Sequence, residues 1–195
     1  MTSRGNTLRA VALAVGAALV LAACGNSSDG TPTATGQNTS ATANASTAQT
    51  PPAKDAAPWD PCTLPPDALR ATGLDPESKK QGIAGVEFDG WKVCNWRAVA
   101  RWYDLSILAG RPTLDDVQGR RNFHEFQALT IGNHRALQFT RVGDTDKQGC
   151  TVAVEISGGT VAFDMLTRYG MPQEDNPCAV AVGRATDLTQ YLPRN

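Results

Sequence analysis

The chain has 195 residues, of which 41% are hydrophobic and 19% charged, and its formal net charge at pH 7 is −1. This length suits one domain with flanking segments. The near-neutral charge, without any block of basic residues, argues against a nucleic-acid partner, because binding to phosphates needs a basic stripe.

The N-terminal segment has the organisation of a secretory signal peptide. Arg4 and Arg9 carry its only charges, and an uncharged apolar run, 10–23, follows them. This run is shorter than the about 20 residues that a helix needs to span a bilayer. Basic residues, a short apolar run and small residues before a cleavage site are typical of signal peptides. We therefore predict that residues 1–23 are a signal peptide.

The apolar run ends in "LAAC", at residues 21–24, and this motif resembles a bacterial lipobox. In signals of that type the cysteine thiol receives diacylglycerol, and cleavage then leaves the cysteine as the lipidated N-terminus. Two acyl chains hold a protein on a membrane durably, whereas one chain binds only marginally. The resemblance implies lipidation at Cys24 and a location on the extracytoplasmic face of the cell membrane. The alternative is an ordinary signal peptide with an incidental cysteine.

A polar segment, 24–58, separates the proposed lipidation site from the rest of the chain. After the cysteine it contains three charged residues and no Val, Ile, Leu or aromatic residue. Such a segment buries too little apolar surface to offset its ordering entropy, so we predict disorder. A flexible coil of this length reaches roughly 30–35 Å, and we interpret it as a tether. Its mixture of Thr, Ala and Pro also resembles O-glycosylated stalks.

Residues 59–195 are predicted to form the folded extracytoplasmic domain, and its first half contains a helix and two strands. A proline pair in the first turn and a glycine at the end predict a helix within 60–74. The polar, glycine-spaced stretch 76–90 predicts a loop. Two alternating runs, 91–99 and 101–110, predict a tight β-hairpin.

The sequence of the second half of the domain predicts further strands between two helices. Thr113 is the expected N-cap of a short helix. Two strands are expected around "IGN" in 122–142, and a clear hairpin in 150–167 is expected to turn at Gly158–Gly159. Asn176 is the expected N-cap of the last helix. Together these elements predict an α+β domain with a largely antiparallel sheet.

Four cysteines remain in the domain: Cys62, Cys94, Cys150 and Cys178. An even number in an exported domain predicts two disulfides, and three pairings are possible. We favour Cys62–Cys94 and Cys150–Cys178, because each pair joins an adjacent helix and strand. Structural zinc sites usually contain two cysteines separated by two to four residues, and no two cysteines here lie that close. We therefore predict no metal site and no cofactor.

Five short motifs follow one another along the domain: "DPC", "CNW", "GNHRAL", "C-x-V-x-V" and "NPC". In this order they resemble a family of actinobacterial lipoproteins whose domain is known as the domain of unknown function 3558. The resemblance covers 59–193, together with the lipobox and the stalk. It implies membrane attachment, a disulfide-bonded α+β domain and no established activity, and it supplies no catalytic residue.

Three aromatic residues are the candidate ligand contacts. Trp91 and Trp102 are expected on one face of the predicted hairpin, as cross-strand neighbours beside Tyr103. Such a group either belongs to the core or lines a groove for an apolar or sugar ligand.

The polar candidates favour structural roles, and none is predicted to be catalytic. The sequence contains no nucleophile elbow, zinc-protease helix, phosphate-binding loop or dinucleotide fingerprint. The histidines, His124 and His134, are expected at the surface or in turns. The pair Arg120–Arg121 is interpreted as a solvated helix end rather than as an anion site.

Two functions from different classes fit these observations. The first is a non-enzymatic envelope lipoprotein whose tethered domain binds a ligand or an envelope partner protein, since a tether raises the local concentration of a weak binder. The alternative is an envelope hydrolase that acts on wall glycan or lipid through carboxylates such as Asp104, Glu155 and Asp164. Two carboxyl groups about 5–10 Å apart in a cleft favour the hydrolase, whereas an apolar pocket without such a pair favours the binding protein.

Replacing the lipobox cysteine tests the predicted anchor. Cys24→Ser removes the thiol that carries the lipid, so we expect the protein to leave the membrane fraction or to remain as an uncleaved precursor. Ser27→Ala keeps the cysteine and is the matched control. Fractionation with immunoblotting measures both variants, and a Cys24→Ser protein that matures and fractionates like the wild type contradicts the lipobox.

Overall fold

The computed structural model describes residues 58–87 and 89–194, which lie in the compact unit Ala48–Asn195. The predicted signal peptide, Cys24 and the predicted tether up to residue 57 lie outside the described residues. Among the helices of the described part, none is long and apolar enough to cross a membrane.

Seven strands form one antiparallel sheet: β1 Lys80–Gln81, β2 Trp91–Arg97, β3 Tyr103–Gly110, β4 Phe123–Ile131, β5 His134–Arg141, β6 Gly149–Ile156 and β7 Gly159–Thr167. Their order across the sheet is β1-β2-β3-β7-β6-β5-β4. Within the described ranges, three α-helices accompany the sheet: α1 Pro66–Ala71, α2 Leu114–Gln118 and α3 Pro177–Leu188. The predicted α+β fold with a largely antiparallel sheet is confirmed.

Alternating side chains divide the sheet into two faces with different environments. One face contains a row of fully buried side chains on four adjacent strands: Cys94, Ile107, Phe163 and Val152. We call it the disulfide face, because both cystines join the sheet there. The opposite face contains the row Val93, Leu108, Ala162 and Ala153. We call it the hollow face.

The main core lies between the disulfide face and the helices α1 and α3. Helix α3 begins at Pro177, and the Asn176 side chain accepts hydrogen bonds from the backbone N–H groups of Cys178 and Ala179. This cap satisfies donors that the first helical turn leaves without partners. The helix then buries four apolar side chains against β6 and β7: Val180, Ala181, Ala185 and Leu188. The N-cap predicted at Asn176 is confirmed.

Both disulfides fasten helical segments to the disulfide face. The Cys62–Cys94 bond joins a short 3-10 turn to β2, and the Cys150–Cys178 bond joins β6 to the first turn of α3. The Cα–Cα distances are 5.3 Å and 4.9 Å. The pairing favoured from the sequence is confirmed.

Two sequence predictions about loops and turns were wrong in detail. The stretch predicted as a loop, 76–90, contains β1, a two-residue strand that pairs with Cys94 and Asn95 of β2. The turn between β6 and β7 is formed by Ser157–Gly158, while Gly159 is already the first residue of β7. A side chain at Gly159 would collide with the carbonyl of Gly110 on the neighbouring strand β3. Gly159 is therefore needed for the close approach of β7 to β3 rather than for the turn.

Strand β4 contains a bulge that explains its irregular sequence pattern. The register with β5 shifts between His124 and Gln127, and Glu125 has a φ of 55°. A bulge adds a residue and changes which face the following side chains occupy. As a result Phe123 and Phe126 both lie beside Phe139, although their spacing does not alternate.

The two histidines differ in environment. His124 is exposed, as expected from the sequence. His134 is 5% exposed, and its Nδ1 lies 2.8 Å from the carbonyl oxygen of Glu155. The expectation of a surface or turn role was therefore wrong for His134, because a backbone carbonyl on β6 satisfies the buried ring.

Removing either disulfide tests how strongly the domain depends on it. Closing loops of about 30 residues stabilises a fold by roughly 3–4 kcal/mol in the chain-entropy model. We expect the double variants Cys62→Ala/Cys94→Ala and Cys150→Ala/Cys178→Ala each to lower the free energy of unfolding by about that amount. Chemical denaturation measures the loss. Peptide mapping without reduction checks the pairing, and a Cys62–Cys178 cross-link contradicts it.

Candidate functional site

The hollow face has a cavity at its centre. The cavity floor is the row Val93, Leu108, Ala162 and Ala153, which crosses strands β2, β3, β7 and β6. Ala162 and Ala153 are paired neighbours and are the smallest side chains of the row. Ala162 is half-buried, whereas Ala153 is fully buried in the apolar cluster that contains Val117 of α2. The cavity has a volume of about 230 Å³. We call it the hollow.

Aromatic and aliphatic side chains form one wall of the hollow. Val117 of α2 and Phe139 of β5 belong to a second apolar cluster, and Phe123 packs against it. The ring centroids of Phe123 and Phe139 are 4.6 Å apart. This wall exists because α2 lies on the hollow face, whereas α1 and α3 pack on the disulfide face.

Helix α2 is short, and a capping box holds its N-terminus. The Thr113 hydroxyl accepts a hydrogen bond from the Asp116 N–H, and the Asp116 carboxylate accepts one from the Thr113 N–H. These contacts with Thr113 hold the pKa of Asp116 below its usual value, because they favour the charged carboxylate. The N-cap predicted at Thr113 is confirmed, and it fixes the helix that supplies Val117.

Trp91 forms one end of the hollow. It lies opposite Gly110 in the β2–β3 pair, and a Cβ on Gly110 would collide with the indole ring. The ring therefore lies across the backbone of β3, where only a glycine leaves room for it. Thr160 of β7, the next residue in this row, also lines the hollow. Its hydroxyl is buried and has no hydrogen-bond partner among residues 58–87 and 89–194.

The other end of the hollow is charged. The Asp164 carboxylate accepts a hydrogen bond from the Thr151 hydroxyl at 2.7 Å through Oδ1 and forms an ion pair with Arg141 through Oδ2. Both carboxylate oxygens are thereby engaged. Arg120, which follows α2, also lines the hollow and is exposed. Its backbone carbonyl accepts a hydrogen bond from the N–H of Phe123, whose partner on β5 is Arg141, so Arg120 lies toward this end. The hollow thus has an apolar floor and two guanidinium groups at one end.

The structure separates the three predicted ligand contacts. Trp91 lines the hollow, whereas Trp102 and Tyr103 are 3% and 4% exposed in the core beneath the disulfide face. The prediction that Trp91 and Trp102 are cross-strand neighbours was wrong. The hairpin register pairs Trp91 with Gly110, at the far end of β3 from the turn that contains Trp102.

A polar trough continues the hollow face beyond Asp164. It has a volume of about 730 Å³, and its polar lining includes Lys80, Asn95, Arg97, Asp104 and Ser106. The hollow and the trough share Asp164 and Ile83 in their linings. The hollow face is therefore apolar at its centre and polar toward this end.

Two of the three candidate catalytic carboxylates meet in the trough. Asp104 and Asp164 are diagonal neighbours on β3 and β7, a relation that places Cα atoms roughly 7–8 Å apart. An arginine accompanies each of them: Arg168 Nε lies 3.6 Å from Asp104, and Arg141 pairs with Asp164. Each of the two carboxylates therefore has a guanidinium group as its neighbour.

The third candidate carboxylate lies elsewhere on the same face. Glu155 is four residues from Thr151 along β6, and four residues of a strand span roughly 13 Å. Its partner is Arg135, with a nitrogen–oxygen distance of 3.4 Å. The sequence grouped Glu155 with the other two carboxylates, but the structure does not bring it to Asp164.

No group of three or more His, Cys, Asp or Glu side chains in residues 58–87 and 89–194 is arranged to hold a metal ion. The described arrangement of the hollow is suited to non-covalent binding. An apolar floor removes hydrocarbon surface from water, and the two arginines offer hydrogen bonds.

Sequence reasoning missed the residues that create the hollow. Ala153 and Ala162 occur in the alternating runs that predict the clearest hairpin, and alternation alone gave them no role. The available signal was size, because the residues two positions away on the same face are larger than alanine: Thr151 and Glu155 beside Ala153, and Thr160 and Asp164 beside Ala162. The register that aligns the two alanines becomes visible only in the folded sheet.

Comparison with known proteins assigns the chain to a family, but that family has no known function. The family model described as "Protein of unknown function (DUF3558)" matches residues 19–191, so the chain belongs to that family. No curated protein and no solved structure matches the chain.

A side chain added at Gly110 tests the placement of Trp91. We expect Gly110→Ala to lower the free energy of unfolding by about 1–3 kcal/mol, because its methyl group overpacks the space that the indole fills. In a Trp91→Ala background the same change is expected to cost little. A double-mutant cycle by chemical denaturation measures the coupling, and an equal cost in both backgrounds contradicts the packing of Trp91 on Gly110.

Proposed function

We propose, starting from membership of a family of unknown function, that this chain is a lipid-anchored binding protein of the bacterial cell envelope. Its domain binds a small ligand in the hollow and has no catalytic role. The anchoring part of this proposal rests on the sequence, through the lipobox at Cys24 and the polar segment behind it. A tether of that kind keeps a binding domain concentrated near the membrane.

The observation that carries the binding role is the hollow itself. Sheet faces that serve only the core are filled with interlocking side chains, since protein interiors are closely packed. Here a space of about 230 Å³ remains beside aromatic and aliphatic side chains, and the half-buried Ala162 lies in its floor. An engineered apolar cavity of about 150 Å³ accepts benzene, so the hollow has room for a group larger than one aromatic ring.

Thr160 forms a closed part of the lining at the Trp91 end of the hollow. It is fully buried, and its hydroxyl lacks a hydrogen-bond partner within the described part of the chain. Because no solvent-accessible area remains on this hydroxyl, the polar contacts offered to a ligand are those of Arg120 and Arg141 at the other end. Small-molecule sites typically combine an apolar lining with a few polar groups of this kind.

The contacts of the carboxylates favour binding over hydrolysis. Hydrolysis by two carboxyl groups needs one that donates a proton and one that attacks or activates water. Both oxygens of Asp164 already accept from Thr151 and Arg141. The hydrolase alternative therefore stays a prediction from the sequence, in which Asp104 and Asp164 would be the two carboxyl groups.

The concave shape of the site favours a small ligand over an envelope partner protein. The hollow is set into the sheet between Trp91 on one side and Val117 on the other. A recess of this kind surrounds an apolar group, whereas protein partners bury larger and flatter surfaces of about 800 Å² on each side.

Filling the hollow tests the proposed function. Ala162→Phe places a ring in the middle of the floor, and we expect it to weaken binding of the neutral apolar fluorophore N-phenylnaphthylamine by at least about tenfold. Leu166→Phe is the matched control, because Leu166 lies on the same face of β7, is 49% exposed and lines the trough instead of the hollow.

Fluorescence titration measures binding, and thermal unfolding shows that both variants remain folded. Binding that is lost in Ala162→Phe and retained in Leu166→Phe supports the hollow as the site. A wild-type protein that does not bind the fluorophore, or an Ala162→Phe variant that binds it as well as the wild type, contradicts the proposal.

A further inference from the structure

We infer that the ligand is a single-chain amphiphile with an anionic headgroup, its hydrocarbon part in the hollow and its headgroup between Arg120 and Arg141. This inference rests on the proposed binding function and adds the chemical class of the ligand. The carrying observation is the uneven distribution of charge along the hollow, which has two guanidinium groups at one end and no charged lining residue at the other.

The first guanidinium, that of Arg120, is available to a ligand. In the part of the chain that the structure describes, no carboxylate lies within ion-pairing distance of Arg120. The Asp116 carboxylate lies close enough to Arg120 for the arginine charge to lower its pKa slightly. The hydrogen bonds from Thr113 lower the Asp116 pKa more than the Arg120 charge does, so Asp116 is committed to the helix cap.

The second guanidinium, that of Arg141, is held in place by Asp164 through one of its two terminal nitrogens. Arg141 Nη2 contacts Asp164 Oδ2, while Asp164 Oδ1 is engaged by the Thr151 hydroxyl. A guanidinium has five N–H donors, so donors remain for a second anion. Asp164 therefore orients Arg141 and neutralises only one of the two arginine charges.

The net charge of the hollow lining selects the sign of the headgroup. Arg120, Arg141 and Asp164 are the charged side chains that line it, and together they leave one positive charge. Guanidinium groups bind carboxylate and phosphate oxygens through paired, charge-assisted hydrogen bonds. A cationic headgroup would meet two like charges and a carboxylate whose oxygens are already engaged.

The geometry of β7 sets the orientation of the ligand. Thr160 and Asp164 mark the two ends of the hollow and are four residues apart on one strand, a span of roughly 13 Å. Ala162 lies midway, in the apolar floor. A single extended hydrocarbon chain fits this direction, with its tail toward Trp91 and its headgroup toward the arginines.

Three probes with the same chain and different headgroups test the inference. Decanoate, decanol and decyltrimethylammonium are compared by equilibrium dialysis against the purified full chain, with a blank of the same buffer and lipid. The variants are Arg120→Gln, Arg120→Lys and Arg121→Gln. Arg121 is the matched control, because it is the neighbouring exposed arginine and does not line the hollow.

We expect decanoate to bind the wild type about fivefold more tightly than decanol, because the partly exposed ion pair between its carboxylate and Arg120 adds a modest amount of binding free energy. Arg120→Gln should remove this preference without changing decanol binding, Arg120→Lys should restore part of it, and Arg121→Gln should leave it unchanged.

The outcomes separate this inference from the proposed function. Equal binding of decanoate and decanol, both lost in Ala162→Phe, overturns the anionic headgroup while the binding function stands. Tighter binding of the cationic probe, or an anion preference that survives Arg120→Gln, also overturns it. If none of the probes binds the wild type, the proposed function and the inference fail together.

Discussion

Both disulfides join the sheet on the same face, and the rest of the structure depends on that constraint. Cys94 and Cys150 point toward the core from β2 and β6, and each holds a helical segment against it. The bonds restrict the unfolded chain and so stabilise the fold without requiring further buried surface. The helices α1 and α3 and both cystines therefore concentrate the stabilising contacts on one side of the sheet, and among the described helices α2 is the one that packs on the opposite face.

This asymmetry leaves the hollow face free to contain a recess. Ala162 leaves space that a larger side chain would fill, and Gly110 gives the Trp91 ring a place to lie. A larger residue at Ala162 would fill part of the recess, since cavities reduce stability in proportion to their volume. A domain fastened by two disulfides tolerates that loss. The arginine contacts at the end of the hollow then add polarity where the apolar floor stops, which is the arrangement expected of a site for an amphiphilic molecule.

The sequence predicted the fold well because its signals are local. The caps at Asn176 and Thr113 and the alternating strands each depend on residues close together in the chain, and even the disulfide pairing followed from neighbouring elements. The site could not be predicted in the same way, because it depends on register between distant strands. Trp91 was a candidate because it lies in an alternating run where it could belong to the core or line a groove, but its partner Gly110 was not foreseen. Trp102 and Tyr103 were grouped with it because pairing was assumed near the turn instead of counted along the hairpin.

The central claim is that one face of the sheet stabilises the domain and the other binds a ligand. Methyl NMR of the full chain, labelled at Ile, Leu and Val and titrated with decanoate, tests it most directly. The account predicts shifts of the methyl signals of Val93, Leu108 and Val117, which line the hollow, and unchanged signals for Leu105, Ile107 and Val161, which are buried on the disulfide face. Shifts confined to the disulfide face, or to exposed residues away from the hollow such as Val99 and Val142, would contradict it.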